Sequence, residues 1–348
     1  MHRPARIAVV GIFALNGFLF AMWVVHIPSI TERTGTSKST LGGLLLVLAA
    51  GALVGMRLSG PLADRFGSRT LTGGGALALS VAVLGPGFAA NSAELGIALA
   101  VFGFANGALD VAMKAQAVQV ERLYGRPIMS AFHALFSCGG LLGSLAGAAT
   151  LRAEWDVRTT LGVAAALGLT VVAACTVNLL PRVEAHEHER GRSRMSRKAL
   201  LLGLIAFALL LAEGVANDWS TLQIKDHLGT SDATAALGFG AFSVMMTIGR
   251  FAADRIAGAL GPVAVVRYGT LVTAVGMAIV VVSGWVPLTL AGWGLFGLGL
   301  SGCIPQIFTA AGNLGTGAAG ANMSRVFSMG YLGLLAGPAG VVGSADRA

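Results

Sequence analysis

Gly60-Pro61-Leu62-Ala63-Asp64-Arg65-Phe66-Gly67-Ser68-Arg69 stands between two long apolar runs, roughly 41–62 and 70–90. Three charges, Asp64, Arg65 and Arg69, crowd into this stretch, and each flanking run is long enough to cross a hydrocarbon core about 30 Å thick. Taken alone, the stretch is a tight, charged turn between two membrane-spanning helices. The pattern recurs on both sides of it. Eleven apolar spans are expected, at roughly 7–30, 41–62, 70–90, 94–118, 128–150, 158–181, 199–222, 234–253, 263–284, 287–311 and 324–343. Of the 348 residues, 55% are hydrophobic and only 11% charged, where a soluble chain would carry about one quarter charged. That composition leaves too little polar surface for a water-soluble particle, and it also excludes disorder, collagen and coiled coil. Period-two alternation is missing, which excludes a β-barrel. Gly and Ala crowd the spans, as close helix packing in lipid requires.

The basic residues give an orientation. With the N-terminus in the cytoplasm, 18 of the 24 Lys and Arg fall on the inner side, Arg65, Arg69, Arg122 and Arg126 among them. Arg33, Lys38, Arg152, Arg158, Lys225 and Arg347 are left outside. This positive-inside bias explains the net charge of +8, so no nucleic-acid partner is expected. The first span carries Asn16 and is followed by no small-residue cleavage site, so a retained helix is expected rather than a signal peptide. Cys138, Cys175 and Cys303 lie inside apolar runs without metal-ligand spacing and read as small buried thiols.

The longest polar stretch, 182–198, separates six spans from five and reads as a cytoplasmic linker between domains 1–181 and 199–348. Sliding the second half back by 194 residues places Gly249 and Gly261 on Gly55 and Gly67, and Gly333 and Gly337 on Gly139 and Gly143. One offset serving two distant helices points to duplicated halves. In that register the counterpart of the sixth span falls beyond Ala348, so the expected fold is six plus five spans with the twelfth helix absent.

Residues 60–69 resemble the major facilitator motif G-x-L-A-D-R-x-G-R-R/K, with Gly60, Leu62, Ala63, Asp64, Arg65, Gly67 and Arg69 matching and Ser68 in place of a usual basic residue. Further stretches are similar to a YbjJ-like bacterial inner-membrane subgroup of that superfamily, itself distantly similar to fucose permeases. They are Asn16-Gly17-Phe18, the run from Asn106 to Met113, Arg126 to Ser130, Phe132 to Ser137, and Asp218-Trp219-Ser220. His26 and Lys114 depart from the subgroup, which often has arginine and asparagine there. The resemblance implies an all-α major facilitator fold of two pseudo-symmetric helical bundles. It also implies a multi-pass protein of the bacterial inner membrane, and spans one, four, seven and ten around a central cavity. It gives Gly60, Asp64, Arg65, Gly67 and Arg69 a gating role, with Asp64 meeting the start of helix eleven near Ser324. A carboxylate there suits the exposed N–H groups and positive dipole end of a helix. The matching loop of the second half is degenerate, and by register Gly258 replaces the aspartate.

Polar groups within the spans are the site candidates, because a charge at a helix centre costs about 2.5–3.5 kcal/mol on insertion scales. Asn106, Asp110 and Lys114 share one helix face. Two readings stand for them: a proton- or substrate-binding stripe, or an Asp110–Lys114 pair that neutralises itself, with Lys114 extending toward the cytoplasm. Glu213 has no basic residue within one turn and has Asn217 at i+4. It reads as an unpaired carboxyl that would take up a proton, or as a protonated interhelical hydrogen-bonding group. His133 in span five reads as a helix–helix bond or a transport residue, and the ladder Gly139, Gly143, Gly147 as a packing surface. Asn16 and Gln306 join Asp110 and Glu213 through the spans assigned to the cavity. Trp219 reads as an interface anchor, and Pro28 and Pro305 as breaks in helices one and ten.

Three other features are set aside. Gly315-Thr316-Gly317-Ala318-Ala319-Gly320 follows a membrane span rather than a strand, so it does not read as a dinucleotide site. His186 and His188 sit in a solvated loop, and no metal or cofactor is expected. The arginines from Arg190 to Arg197 meet at most anionic lipid headgroups. The expected function is secondary active transport of a small solute by alternating access, coupled to protons through Asp110 or Glu213, by a monomer in the bilayer. The rival is a transport-dead relic or membrane sensor. With no metal cluster and no nucleophile beside a base, an enzyme is not expected.

Overall fold

The structure, a computed structural model, describes residues 3–181, 195–314 and 322–334. Among these residues it holds helices and short connections but no strand. The helices are α1 (Arg3–Thr34), α2 (Lys38–Phe66), α3 (Ser68–Ala82), α4 (Leu84–Phe88), α5 (Ser92–Tyr124), α6 (Met129–Arg152), α7 (Val157–Thr176), α8 (Arg197–Leu228), α9 (Asp232–Leu260), α10 (Pro262–Val282), α11 (Val286–Leu300) and α12 (Cys303–Gly312). A further helix, α13, covers 322–334. Nine helical segments among the described residues are long and apolar enough to cross a membrane. The eighth and eleventh expected spans are helical as α9 and α13, outside those nine.

Two spans are each two helices. The third, expected to be continuous, divides at Val83, and the tenth divides at Ser301-Gly302, beside the break expected at Pro305. In both, a proline lies just beyond the break. Pro86 and Pro305 supply no N–H to the carbonyls of Ala82 and Ser301, four residues earlier. Pro28, by contrast, does not break helix one: α1 runs through it to Thr34. Beyond it the hydroxyl of Thr31 donates to the Ile27 and Pro28 carbonyls at 2.9 Å, and that of Thr34 to Ile30 at 2.8 Å. Such side-chain bonds help a proline-bearing helix persist in lipid.

Helix boundaries repeat at the offset that the glycines suggested. Adding 194 to the ends of α1 and α2 gives the ends of α8 and α9. The caps repeat as well. Ser37 accepts from the Thr40 N–H, and Ser231 from that of Thr234. Gly35 and Gly229 are both left-handed, at φ 63° and 61°. Gly67 and Gly261 end their helices at φ 88° and 85°, and each donates back to the fourth residue before it, Ala63 or Ala257, at 2.9 Å.

The chain forms two compact units. The first comprises Met1–Tyr124, Leu135–Arg194 and Gly312–Ser324; the second comprises Gly125–Ala134, Met195–Ala311 and Arg325–Ala348. In unit 1, α2 lies so close to α5 that a Cβ on Gly103 or Gly107 would overlap the Leu48 or Ala52 carbonyl. In unit 2 the same closeness joins Gly297 of α11 to Phe242 of α9. Dispersion over these contacts holds such helices together where lipid removes the hydrophobic drive.

Candidate membrane-embedded polar site

In unit 1 the polar stripe on α5 closes on itself. Lys114 Nζ donates to Asp110 Oδ2 at 2.7 Å, and the two side chains are 9% and 19% exposed. The i, i+4 spacing brings the charges together on one face, and the pair that one of the two readings expected is formed. Lys114 is buried, not extended to an aqueous surface. Asn16 of α1 is 1% exposed and directs its Nδ2 to the sulfur of Met113 at 3.7 Å. Met113 precedes Lys114, so Asn16 and the ion pair meet the same stretch of α5. Asn16 Oδ1 is buried and has no hydrogen-bond partner among the described residues. Asn106, one turn before Asp110, is half-buried.

In unit 2 the expectation for Glu213 is corrected. Its carboxylate faces a cation: Arg250 Nη2 stands 3.4 Å from Glu213 Oε1, with side chains 16% and 18% exposed. The arginine comes from α9, 37 residues away, which is why neighbours along α8 gave no sign of it. Asn217, the supposed partner at i+4, is exposed. Gln306 on α12 is 3% exposed, and its Nε2 has no partner among the described residues. His133 bonds the Met129 carbonyl through Nδ1 at 3.0 Å, and its ring lies 6.0 Å from that of Phe308. Phe308 packs edge-on against Phe327 at 4.0 Å.

The gating stretch is less of a loop than its charges suggest. Gly60, Asp64 and Arg65 belong to the last turns of α2, Gly67 alone makes the turn, and Arg69 is already in α3. Arg65 stacks on Phe66 at 5.2 Å, and Arg69 donates to the Val177 carbonyl at 3.2 Å. Asp64 lines a cavity of about 60 Å³ with Ser68, Gln119, Arg122, Gly312 and Met323. The start of α13 lies against α2 in this unit, with Ser324 Oγ donating to the Met56 carbonyl at 2.6 Å. Arg122 donates to the Gly312 carbonyl and to Asn313 Oδ1.

Three arrangements escaped the sequence. Ser68, the departure from the motif, is 3% exposed and accepts from Gln116 at 2.9 Å and from Gln119 at 3.0 Å. Gln116 also exchanges two hydrogen bonds with the backbone of Leu180. Gln223 accepts from the indole of Trp293 at 3.2 Å. Asp254 accepts from two backbone N–H groups at the start of α6. No motif marks them, although a Gln deep in an apolar span is itself a signal. The buried indole nitrogen of Trp219 has no partner among the described residues. His186, His188, the 315–320 glycine run and most of the linker arginines lie outside the described residues. Among those described, no group of three His, Cys, Asp or Glu is placed to hold a metal. The three cysteines form no disulfide.

Long apolar helices repeated at one offset define a polytopic all-α membrane protein of duplicated design. Residues 9–338 match the sequence pattern of the Major Facilitator Superfamily, and the chain belongs to that superfamily. An uncharacterised MFS-type transporter of Yersinia pestis is 35% identical over 94% of this chain and 86% of its own length. The membrane protein MosC of Rhizobium meliloti is 31% identical over 94% and 80%. In fold, the E. coli fucose–proton symporter superposes with TM-score 0.78 at 15% identity, covering 98% of this chain and 92% of its own. The human organic anion transporter MFSD10 gives 0.78 at 16%, covering 97% and 92%. The chain is thus a multi-pass membrane protein with the major facilitator fold, in a superfamily of transporters.

Proposed function

We propose that the protein is a secondary active transporter of the bacterial inner membrane, moving a small solute by alternating access with proton coupling. The observation that carries this reading is the Glu213–Arg250 pair of unit 2. A carboxylate inside a membrane span has two ways to be neutralised, a nearby cation or a proton. With Arg250 at 3.4 Å it has the first. Protonation of Glu213 would release Arg250, and deprotonation would restore the pair. A proton is thereby converted into a rearrangement between α8 and α9. Asp110–Lys114 is the tighter pair, at 2.7 Å, and serves as a fixed polar wall to which Asn16 contributes. Under this reading Asn106, His133, Asn217 and Gln306 contact solute, while Gly60, Asp64, Arg65, Gly67 and Arg69 govern access from the cytoplasm. The protein acts as a monomer of two repeat domains, 1–181 and 199–348, with its N-terminus cytoplasmic.

The test is uptake into proteoliposomes of a panel of labelled sugars and organic anions, with and without an imposed proton gradient. Uptake of at least one solute is expected to rise with the gradient and to collapse when a protonophore is added. Glu213→Gln is expected to leave exchange of that solute intact and to abolish the response to the gradient. Equal uptake with and without the gradient in the native protein removes the coupling. Solute binding without any movement favours a sensor.

A further inference from the structure

The first turns of α1 pass from charged to apolar along one face. Arg3, Arg6, Ile7 and Val10 stand at i, i+3, i+4 and i+7, the spacing that aligns side chains on one side of a helix. With Tyr124, the last residue of α5, they line an open groove of about 440 Å³. The two arginines lie about 6 Å nearer the end of α1 than the two aliphatic side chains, from the helical rise. Ile7 is 68% exposed, so the apolar part of the groove opens onto whatever surrounds the helix, which in a bilayer is acyl chain. Arg6 is held in position by Tyr124, its guanidinium lying 5.4 Å from the ring centroid.

The charge of this groove is uncompensated. Among the described residues the side chains of Arg3 and Arg6 have no hydrogen-bond or ion-pair partner, and none of the five lining residues is acidic. Other arginines are engaged by protein groups: Arg33 by the Pro86 and Ala89 carbonyls, Arg69 by that of Val177, Arg250 by Glu213. The repeat shows that the second cation is not a requirement of the fold. Adding 194 to Arg3, Arg6, Ile7 and Val10 gives Arg197, Leu200, Leu201 and Leu204. The three leucines are exposed, and α8 has the same ends in its own repeat as α1. A helix of this place and length thus forms with leucine where Arg6 stands.

We infer that the groove binds an anionic glycerophospholipid, with its phosphate between Arg3 and Arg6 and one acyl chain along Ile7 and Val10. Guanidinium groups are planar, multiple donors that match phosphate oxygens. Cation followed by aliphatic along α1 is also the order of headgroup and chain in a lipid leaflet. A zwitterionic lipid would bring its own ammonium to a groove that offers two cations, no acid, and a ring that Arg6 already covers. The groove therefore selects a headgroup without an amine. Neither the site nor its test depends on a transported solute.

The test is native mass spectrometry of the full chain, delipidated in neutral detergent. It is titrated with phosphatidylglycerol, phosphatidylethanolamine or phosphatidylcholine of matched acyl chains. The first phosphatidylglycerol is expected to bind about tenfold or more tighter than either zwitterionic lipid, the effect of charge-assisted bonds to one phosphate. Arg6→Gln is expected to shrink that preference to about threefold or less, since one of the two cations is gone. Arg267→Gln is the control. Arg267 is exposed in the second turn of α10, its side chain without a partner among the described residues. Its loss is expected to change the first binding by less than about twofold, as for an isolated surface charge.

Equal affinity for the three lipids overturns the site, as do equal losses from Arg6→Gln and Arg267→Gln, which would mark a diffuse surface charge. Displacement of the bound lipid by an equal concentration of inorganic phosphate also overturns it, because the occupant would then be a soluble anion. A cooperative thermal melt in each variant separates these results from misfolding. If Arg6→Gln does not fold, Arg3→Gln takes its place under the same criteria.

Discussion

Among single side chains, the polar groups inside the spans show the largest gap between sequence and structure. The Asp110–Lys114 pair was legible because its spacing places both charges on one helix face. Glu213 was legible as an anomaly, but its partner was not, because Arg250 comes from another helix. Removing one charge of this pair takes an opposite charge away from the other in a poorly solvated place. Glu213→Gln and Arg250→Gln are each expected to lower stability by about 1–3 kcal/mol. The double variant should cost less than the sum, because the two changes share one interaction. A thermal-denaturation double-mutant cycle in detergent measures the coupling, and strict additivity would show the pair to be energetically idle. Ser68 carries the same lesson in milder form. It differs from the motif because the position is buried beside Gln116 and Gln119, where a short hydroxyl completes a network and a long cation would have to be accommodated.

For the helices, hydrophobic runs gave position and length, and prolines gave breaks wherever packing left them uncompensated. Pro86 and Pro305 each lie just past a break, while Pro28 is carried inside α1. The same residue type thus has two outcomes, and local sequence does not distinguish them. Helix contact follows the glycines. Gly107→Ala is expected to destabilise the protein by about 1–3 kcal/mol, because the new methyl meets the Ala52 carbonyl of α2 and the helices must separate. Gly74→Ala is the control. It is exposed on α3 with nothing within 4 Å of an added Cβ, and is expected to be neutral or to stabilise by up to about 1 kcal/mol. Thermal unfolding of both purified variants decides, and similar shifts would refute the close-contact account.

Across the entire chain, duplication is the organising fact. Caps, left-handed glycines and helix ends recur at one offset, although few side chains are shared between the halves. Gly67→Ala and Gly261→Ala should therefore behave alike, each losing about 1–3 kcal/mol from a backbone conformation that favours glycine. Calorimetry or thermal melts would test this, and a large loss in one half alone would show that the turns are not equivalent. The apolar spans, the basic bias and the repeat were readable from the chain because they depend on composition and local periodicity, which lipid and backbone hydrogen bonding impose residue by residue. Arg250 beside Glu213, Asp254 on the first turn of α6 and the glutamines around Ser68 were not readable. Each joins residues distant along the chain, so its geometry arises only when the helices pack.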